Sequence, residues 1–204
     1  MDARHIPNLL GLFRIATTPL LFALILVGTP PADVGAVVVL LLMAASDIAD
    51  GKIARRLQVV SPLGVFLDTI SDKIFVTGAL LPMVERGLLP SWVALLIILR
   101  EFAVSGLRSY AAAEGEVIAA RQWGKQKLVF TVAALVWCLL DAAARASGSP
   151  EWVLLITGVW PVVLGLALIW TVGSGIEYFW NARRLLREHT APRPEARPGE
   201  RSAE

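Results

Sequence analysis

Six apolar stretches, each long enough to cross a bilayer, limit what this chain can become. A span needs about 20 predominantly apolar residues in helical form. The sequence offers Leu9–Val27, ended by "GTPP"; Val34–Ala49, with helix expected to continue through Arg56; Gly64–Val84; Trp92–Ala113; Lys127–Ala144; and one within Trp152–Phe179. Pro161 in the last is expected to mark a kink or a helix start. Backbone inside hydrocarbon must satisfy its own polar groups, and runs of this length do so as helices. The prediction is an all-α integral membrane protein of about six transmembrane helices. Composition agrees, at 18% charged residues and a mean hydropathy of +0.64, against about 25% charged in soluble domains.

The remaining composition excludes several classes. The lone Cys138 rules out an internal disulfide framework or a cysteine-rich metal site, and its apolar neighbours suggest a buried, inert thiol. His5 and His189 lie in opposite tails and suggest no histidine-based metal site. A net charge of +2 gives no reason to expect nucleic acid as a partner. The ending "RPEARPGERSAE" is rich in proline and charge, the composition of a disordered tail. The organisation predicted is one membrane domain over residues 1–188 and a disordered cytoplasmic tail over 189–204.

Charge also carries topology, because Lys and Arg favour the cytoplasmic ends of spans. Arg4, Arg55, Arg56, Arg108, Arg121, Lys125, Lys127, Arg183, Arg184 and Arg187 fall on one side; Arg86 and Arg145 fall on the other. Both termini are expected in the cytoplasm. Arg14 within the first apolar run, with no clean small-residue cleavage site after it, argues against a signal peptide. Trp92, Trp123, Trp152 and Trp180 sit near span ends, where interfacial anchoring explains them. Gly106, Gly165, Gly173 and Gly175 are expected at close helix contacts.

The unusual feature is acid at the ends of apolar runs. "SDIADGKIARRLQVVSPLGVFLDTISDK" contains Asp47, Asp50, Asp68 and Asp72. Spacings of three and four put each pair on one helix face. A short connection around "QVVSPL" should make the second and third helices antiparallel neighbours, bringing four carboxylates to one membrane depth. Uncompensated, they would repel and be costly to bury. Divalent cations with a preference for hard oxygen ligands, Mg²⁺ or Mn²⁺, are the obvious compensation; a solvated polar loop is the bland alternative. Gly51 in a helix costs up to about 1 kcal/mol against alanine, which a close ligand approach would justify. Arg55, one turn on, offers donors suited to phosphate or a base edge. Together these suggest a diphosphate-bearing ligand.

The same stretch fits D-x2-D-G-x2-A-R-x8-G-x3-D-x3-D at Asp47, Asp50, Gly51, Ala54, Arg55, Gly64, Asp68 and Asp72. It resembles the signature of the CDP-alcohol phosphatidyltransferases. The resemblance implies transfer of a phosphatidyl group from a CDP-linked lipid to an alcohol, with release of CMP. It implies that Asp47, Asp50, Asp68 and Asp72 bind two divalent cations and that Asp72 is also the general base. It implies that Gly51 lets cytidine lie against the helix, that Arg55 contacts the nucleotide, and that Ser61 lines that site, although a turn serine before Pro62 is equally ordinary. Lys73 contacts phosphate or faces the headgroups.

Further stretches, "HIPNLLGLFRIATTPL", "ILREFAVSGLRSYAAAEG", "GKQKLVFT" and "SGIEYF", resemble the bacterial phosphatidylglycerophosphate synthase branch of that family. This implies CDP-diacylglycerol as donor, glycerol 3-phosphate as acceptor, a bacterial inner membrane with the active site on its cytoplasmic side, and a homodimer. Arg108, Lys125 and Lys127 are well placed for the acceptor's phosphate, with simple positive-inside charge as the alternative. Arg100 and Glu101 lie inside the fourth span, where ionisable groups are rare and usually paired. Glu101, Ser105 and Arg108 share one stripe, so Glu101 either orients Arg108 through an ion pair or touches substrate. Arg14 and Asn8 could reach the diphosphate; snorkelling and helix capping are their alternatives. Other acceptors, namely inositol phosphate, serine or phosphatidylglycerol, keep the same chemistry. A cation transporter is the reading from another class; it expects the acids near the bilayer midplane.

Overall fold

The computed structural model describes residues 6–57, 62–113, 115 and 123–190. Among these there are seven helices and no strand: α1 (Ile6–Val27), α2 (Pro30–Leu57), α3 (Pro62–Glu85), α4 (Ser91–Ala113), α5 (Trp123–Ala146), α6 (Glu151–Thr157) and α7 (Trp160–Thr190). The first five coincide with the first five predicted spans. By length and apolarity, Leu9–Val27, Pro30–Ala49, Leu128–Ala146 and Glu151–Arg183 can cross a membrane. Helices α3 and α4 are as long but carry Asp68, Asp72 and Lys73, and Arg100, Glu101 and Arg108. The chain is an all-α membrane protein.

The sixth predicted span is two helices. A turn at Gly158–Val159 separates α6 from α7, and Pro161 is the second residue of α7, where a missing N–H costs no helical bond. The corner is fixed by side chains. Thr157 donates to Asp141 Oδ1 at 2.9 Å, and Trp137 Nε1 donates to the Ile156 carbonyl at 3.0 Å. Of the predicted tail, α7 extends through Thr190, and residues 191–204 lie outside the described residues.

Helix α1 joins α2 to α3. It packs against both α2 and α3, which touch each other only sparsely. Its buried stripe reads Gly11, Arg14, Thr18, Leu21, Ile25, alternate steps of three and four that keep one face inward. Packing against α3 is close because Gly78 has no side chain: a Cβ there would come within 2.2 Å of Thr18 Cγ2. The core continues through Leu40 and Met43 of α2, Phe75, Leu80 and Met83 of α3, Ile97 of α4, and Leu135 and Leu139 of α5. Cys138 is buried among them, as predicted. Trp92 and Trp152 are exposed near helix starts, consistent with anchoring; Trp180 is exposed as well, but α7 continues ten residues past it, and the side chain of Trp123 lies outside the described residues.

The glycines differ from expectation. Gly106, Gly165 and Gly173 have nothing within 4 Å of where a Cβ would stand, and only Gly175 of the four predicted contacts is close, at 3.3 Å from Arg100 Cγ. Gly106, Gly165 and Gly173 therefore carry no tight packing among the described residues. The position that does, Gly78, faces a β-branched residue on a parallel neighbour, a pairing that spacing does not reveal.

Arg86 ties one end of the α1–α3 unit together. It follows α3, pairs with the fully buried Asp33 in the first turn of α2, and donates Nη1 to the Ile25 carbonyl of α1 at 2.8 Å. Gly28 makes room by taking φ +68°; a Cβ there would stand 3.2 Å from Arg86 Nε. Fourteen residues separate Asp33 from Asp47 along α2, or about 21 Å at 1.5 Å per residue. The acids of interest are therefore at the opposite end of the bundle.

Candidate active site

Three helices meet at that end. Arg14 of α1 pairs through one nitrogen, Nη1, with Asp47 of α2 and with Asp72 of α3. Arg14 is fully buried, Asp47 mostly so, and the Asp72 side chain is 48% exposed. Snorkelling is thus not what Arg14 does. The stripe that carries it turns inward, and its guanidinium lies where two carboxylates from different helices converge. The predicted convergence of α2 and α3 is achieved with α1 between them, rather than by direct α2–α3 packing.

Asp50, Gly51 and Arg55 lie on the C-terminal part of α2, and Asp68 lies on α3, one turn before Asp72. The side chains of Asn8, Asp50, Arg55, Asp68, Lys125 and Lys127 and the whole of Ser61 lie outside the described residues. Among the described residues, Asp47 and Asp72 are the acids that converge, and no third His, Cys, Asp or Glu joins them. Two hard carboxylates directed at one point, one of them open to a ligand, are a donor set that fits a divalent cation. Asp47 and Asp72 would hold it together with the acids one turn away from each.

Lys73 turns from this point. Its Nζ donates to the Thr69 carbonyl at 2.8 Å and lies 5.9 Å from the centroid of Phe102 on α4. Arg108 is exposed on α4, and its Nε donates to the Tyr178 hydroxyl of α7 at 3.4 Å with the guanidinium 5.8 Å from that ring. Tyr178 is buried beside Val104, Leu107 and Ala182. It was not among the predicted site residues; the signal was its place in "SGIEYF", since a buried tyrosine hydroxyl usually seeks a partner.

Arg100 and Glu101 do form a pair, at 3.3 Å, and Arg100 Nη2 also donates to Ser174 Oγ of α7 at 3.0 Å. Both charges are largely buried. The cluster fastens α4 to α7, while Arg108 takes its orientation from Tyr178.

A family model described as CDP-alcohol phosphatidyltransferase matches residues 4–172. A Bacillus subtilis protein named CDP-diacylglycerol–glycerol-3-phosphate 3-phosphatidyltransferase is 33% identical over 193 residues, spanning 87% of this chain and 96% of its own length. A Rickettsia bellii protein of the same name is 28% identical over 86% of this chain and 93% of its own. A Streptomyces coelicolor protein named cardiolipin synthase (CMP-forming) is 40% identical, over 47% of this chain and 46% of its own length. The match encloses α1 to α6, and with them Arg14, Asp47 and Asp72, so the chain belongs to the CDP-alcohol phosphatidyltransferase family.

Proposed function

We propose that this protein transfers the phosphatidyl group of CDP-diacylglycerol to glycerol 3-phosphate, giving phosphatidylglycerophosphate and CMP. The observation that carries the reading is the meeting of Asp47 and Asp72 at one depth in a chain related over 87% and 86% of its length to two proteins bearing that enzyme name. Two divalent cations, Mg²⁺ or Mn²⁺, held by Asp47, Asp50, Asp68 and Asp72, supply charge stabilisation at the diphosphate.

The chain's own residues do the rest. Asp72, half-exposed, takes the proton of the acceptor's primary hydroxyl. The hydroxyl oxygen attacks the phosphorus bearing diacylglycerol, the bond to the cytidylyl oxygen breaks, and CMP leaves with the electron pair. No covalent enzyme intermediate is required. Gly51 and Arg55 with Ser61 and Asn8 receive the nucleotide end. Arg108, steadied on Tyr178, holds the acceptor phosphate with Lys125 and Lys127. Arg14 keeps Asp47 and Asp72 in register. The protein works as a homodimer in a bacterial inner membrane, with both termini and the acids on the cytoplasmic side.

The test is a panel of acceptors offered to purified protein with CDP-diacylglycerol and Mg²⁺ or Mn²⁺, with lipid product and CMP both measured. Glycerol 3-phosphate should be used in strong preference to inositol phosphate, serine and phosphatidylglycerol. Phosphatidylglycerol is the second acceptor to consider, because the Streptomyces relative has the higher local identity. CMP release in excess EDTA, or none with any acceptor, would overturn the proposal.

A further inference from the structure

Helices α4 and α7 enclose a groove of about 690 Å³ on the outer face of the bundle, within the roughly 300–1,000 Å³ of small-molecule sites. Its walls are Leu96, Leu99 and Ala103 on one side and Gly175, Ile176 and Phe179 on the other. Arg100 contributes its aliphatic stem, since its charged end is turned to Glu101 and Ser174. The α7 side of the interior is therefore apolar at its lining positions Gly175, Ile176 and Phe179, and Arg183 lies eight residues beyond Gly175, about 12 Å along the helix.

One end is different. Arg183 stands at the mouth, 4.2 Å over the exposed ring of Trp180. It is five residues beyond Tyr178, about 7.5 Å past the level of Arg108. An exposed tryptophan with a stacked arginine is the composition of the membrane–water interface. A cation at the interface above an apolar channel into hydrocarbon matches the two ends of one molecule, a phospholipid. This place is separate from the acids, which meet on α1, α2 and α3.

We infer that the α4–α7 groove binds an anionic phospholipid of the surrounding bilayer, one acyl chain between Leu99 and Ile176 and its phosphate on Arg183. This lipid is a resident of the groove, separate from the donor consumed at Asp47 and Asp72. Neutral phospholipids fill the groove less well because Arg183 then faces no net negative charge.

The test is native mass spectrometry of the detergent-purified full chain with dioleoylphosphatidylglycerol or dioleoylphosphatidylcholine. The phosphatidylglycerol adduct should be retained in preference. Arg183→Gln should weaken it about fivefold, the worth of one basic residue against an anionic surface, and leave phosphatidylcholine unchanged. Leu99→Trp fills the groove and should reduce both adducts; Leu95→Trp, exposed on the same helix but outside the groove, should not. Ala103→Leu repeats the test with a smaller fill. Equal phosphatidylglycerol retention by Arg183→Gln and wild type, or no difference among the groove variants and Leu95→Trp, would overturn the inference. So would efficient disulfide linkage of two copies carrying Leu99→Cys and Ile176→Cys, which would make the groove an interface between copies.

Discussion

Asp47 and Asp72 end on the same nitrogen of Arg14, so two carboxylates from different helices share one buried cation. Removing that cation leaves them facing each other in a poorly solvated site. Breaking such a cluster costs about 3–5 kcal/mol, and the lower end applies because Asp72 is half-exposed. Arg14→Ala should therefore lower the unfolding temperature in detergent containing EDTA. Added Mn²⁺ should recover more stability in the variant than in wild type, because a divalent cation replaces the missing charge. An unfolding temperature unchanged by Arg14→Ala would remove the arginine from the site.

Asp72→Asn tests the base. It preserves shape and removes the proposed proton acceptor, so turnover should fall at least about 10²–10⁴-fold. Retention of CDP-diacylglycerol, measured by equilibrium binding, should be only partly lost. Asp47→Asn should reduce binding and turnover together.

Arg108→Ala should raise the KM for glycerol 3-phosphate more than that for CDP-diacylglycerol. A charge-assisted contact contributes roughly 1.5–3 kcal/mol, which is about ten- to a hundredfold in kcat/KM. Tyr178→Ala should move the same parameter in the same direction, because it removes the platform under Arg108 without touching substrate. Steady-state kinetics with each substrate varied in turn would read the difference.

At the far end, Arg86→Ala should destabilise by about 3–5 kcal/mol, since it strands the fully buried Asp33. Gly78→Ala should cost about 1–3 kcal/mol by overpacking against Thr18. Arg86 is far from the acids, so kcat per folded molecule should stay close to wild type in Arg86→Ala; Gly78 packs against Thr18, one turn from Arg14, so Gly78→Ala should lower kcat as well. Thermal unfolding paired with activity in reconstituted vesicles separates the two effects.

Topology can be read directly. A reporter fused after Glu204 should behave as cytoplasmic and one inserted at Gly87 as extracytoplasmic. The opposite pattern would put the acids away from water-soluble substrates of the cytosol.

The long helices were legible because apolar length alone specifies them in a membrane, and the Asp pairs because their spacing is helical. What escaped was whatever depends on which helix lies between which. "QVVSPL" suggested that α2 and α3 are direct neighbours, and nothing local announces that α1 separates them. Arg14 was visible as an odd charge, but its burial depends on the stripe from Gly11 to Ile25 facing inward. Arg86 was read only as a topological charge and Asp33 was not singled out, because their pairing joins residues far apart in sequence. The split between α6 and α7 hung on Pro161, whose two readings only tertiary contacts from Trp137 and Asp141 decide.

The two arginine ties have a mechanical consequence. Arg14 and Arg86 rivet α1, α2 and α3 at two levels about 20 Å apart, and two fixed points forbid both sliding and splaying of that trio. Helix α4, by contrast, is held to α7 in the membrane interior by the Arg100–Ser174 contact and to α3 by side-chain packing. The acids thus sit on a stiff frame. Any breathing needed to admit one lipid and release another is left to helices outside that trio, α4 and α7 among them, which meet through the Arg100–Ser174 and Arg108–Tyr178 contacts.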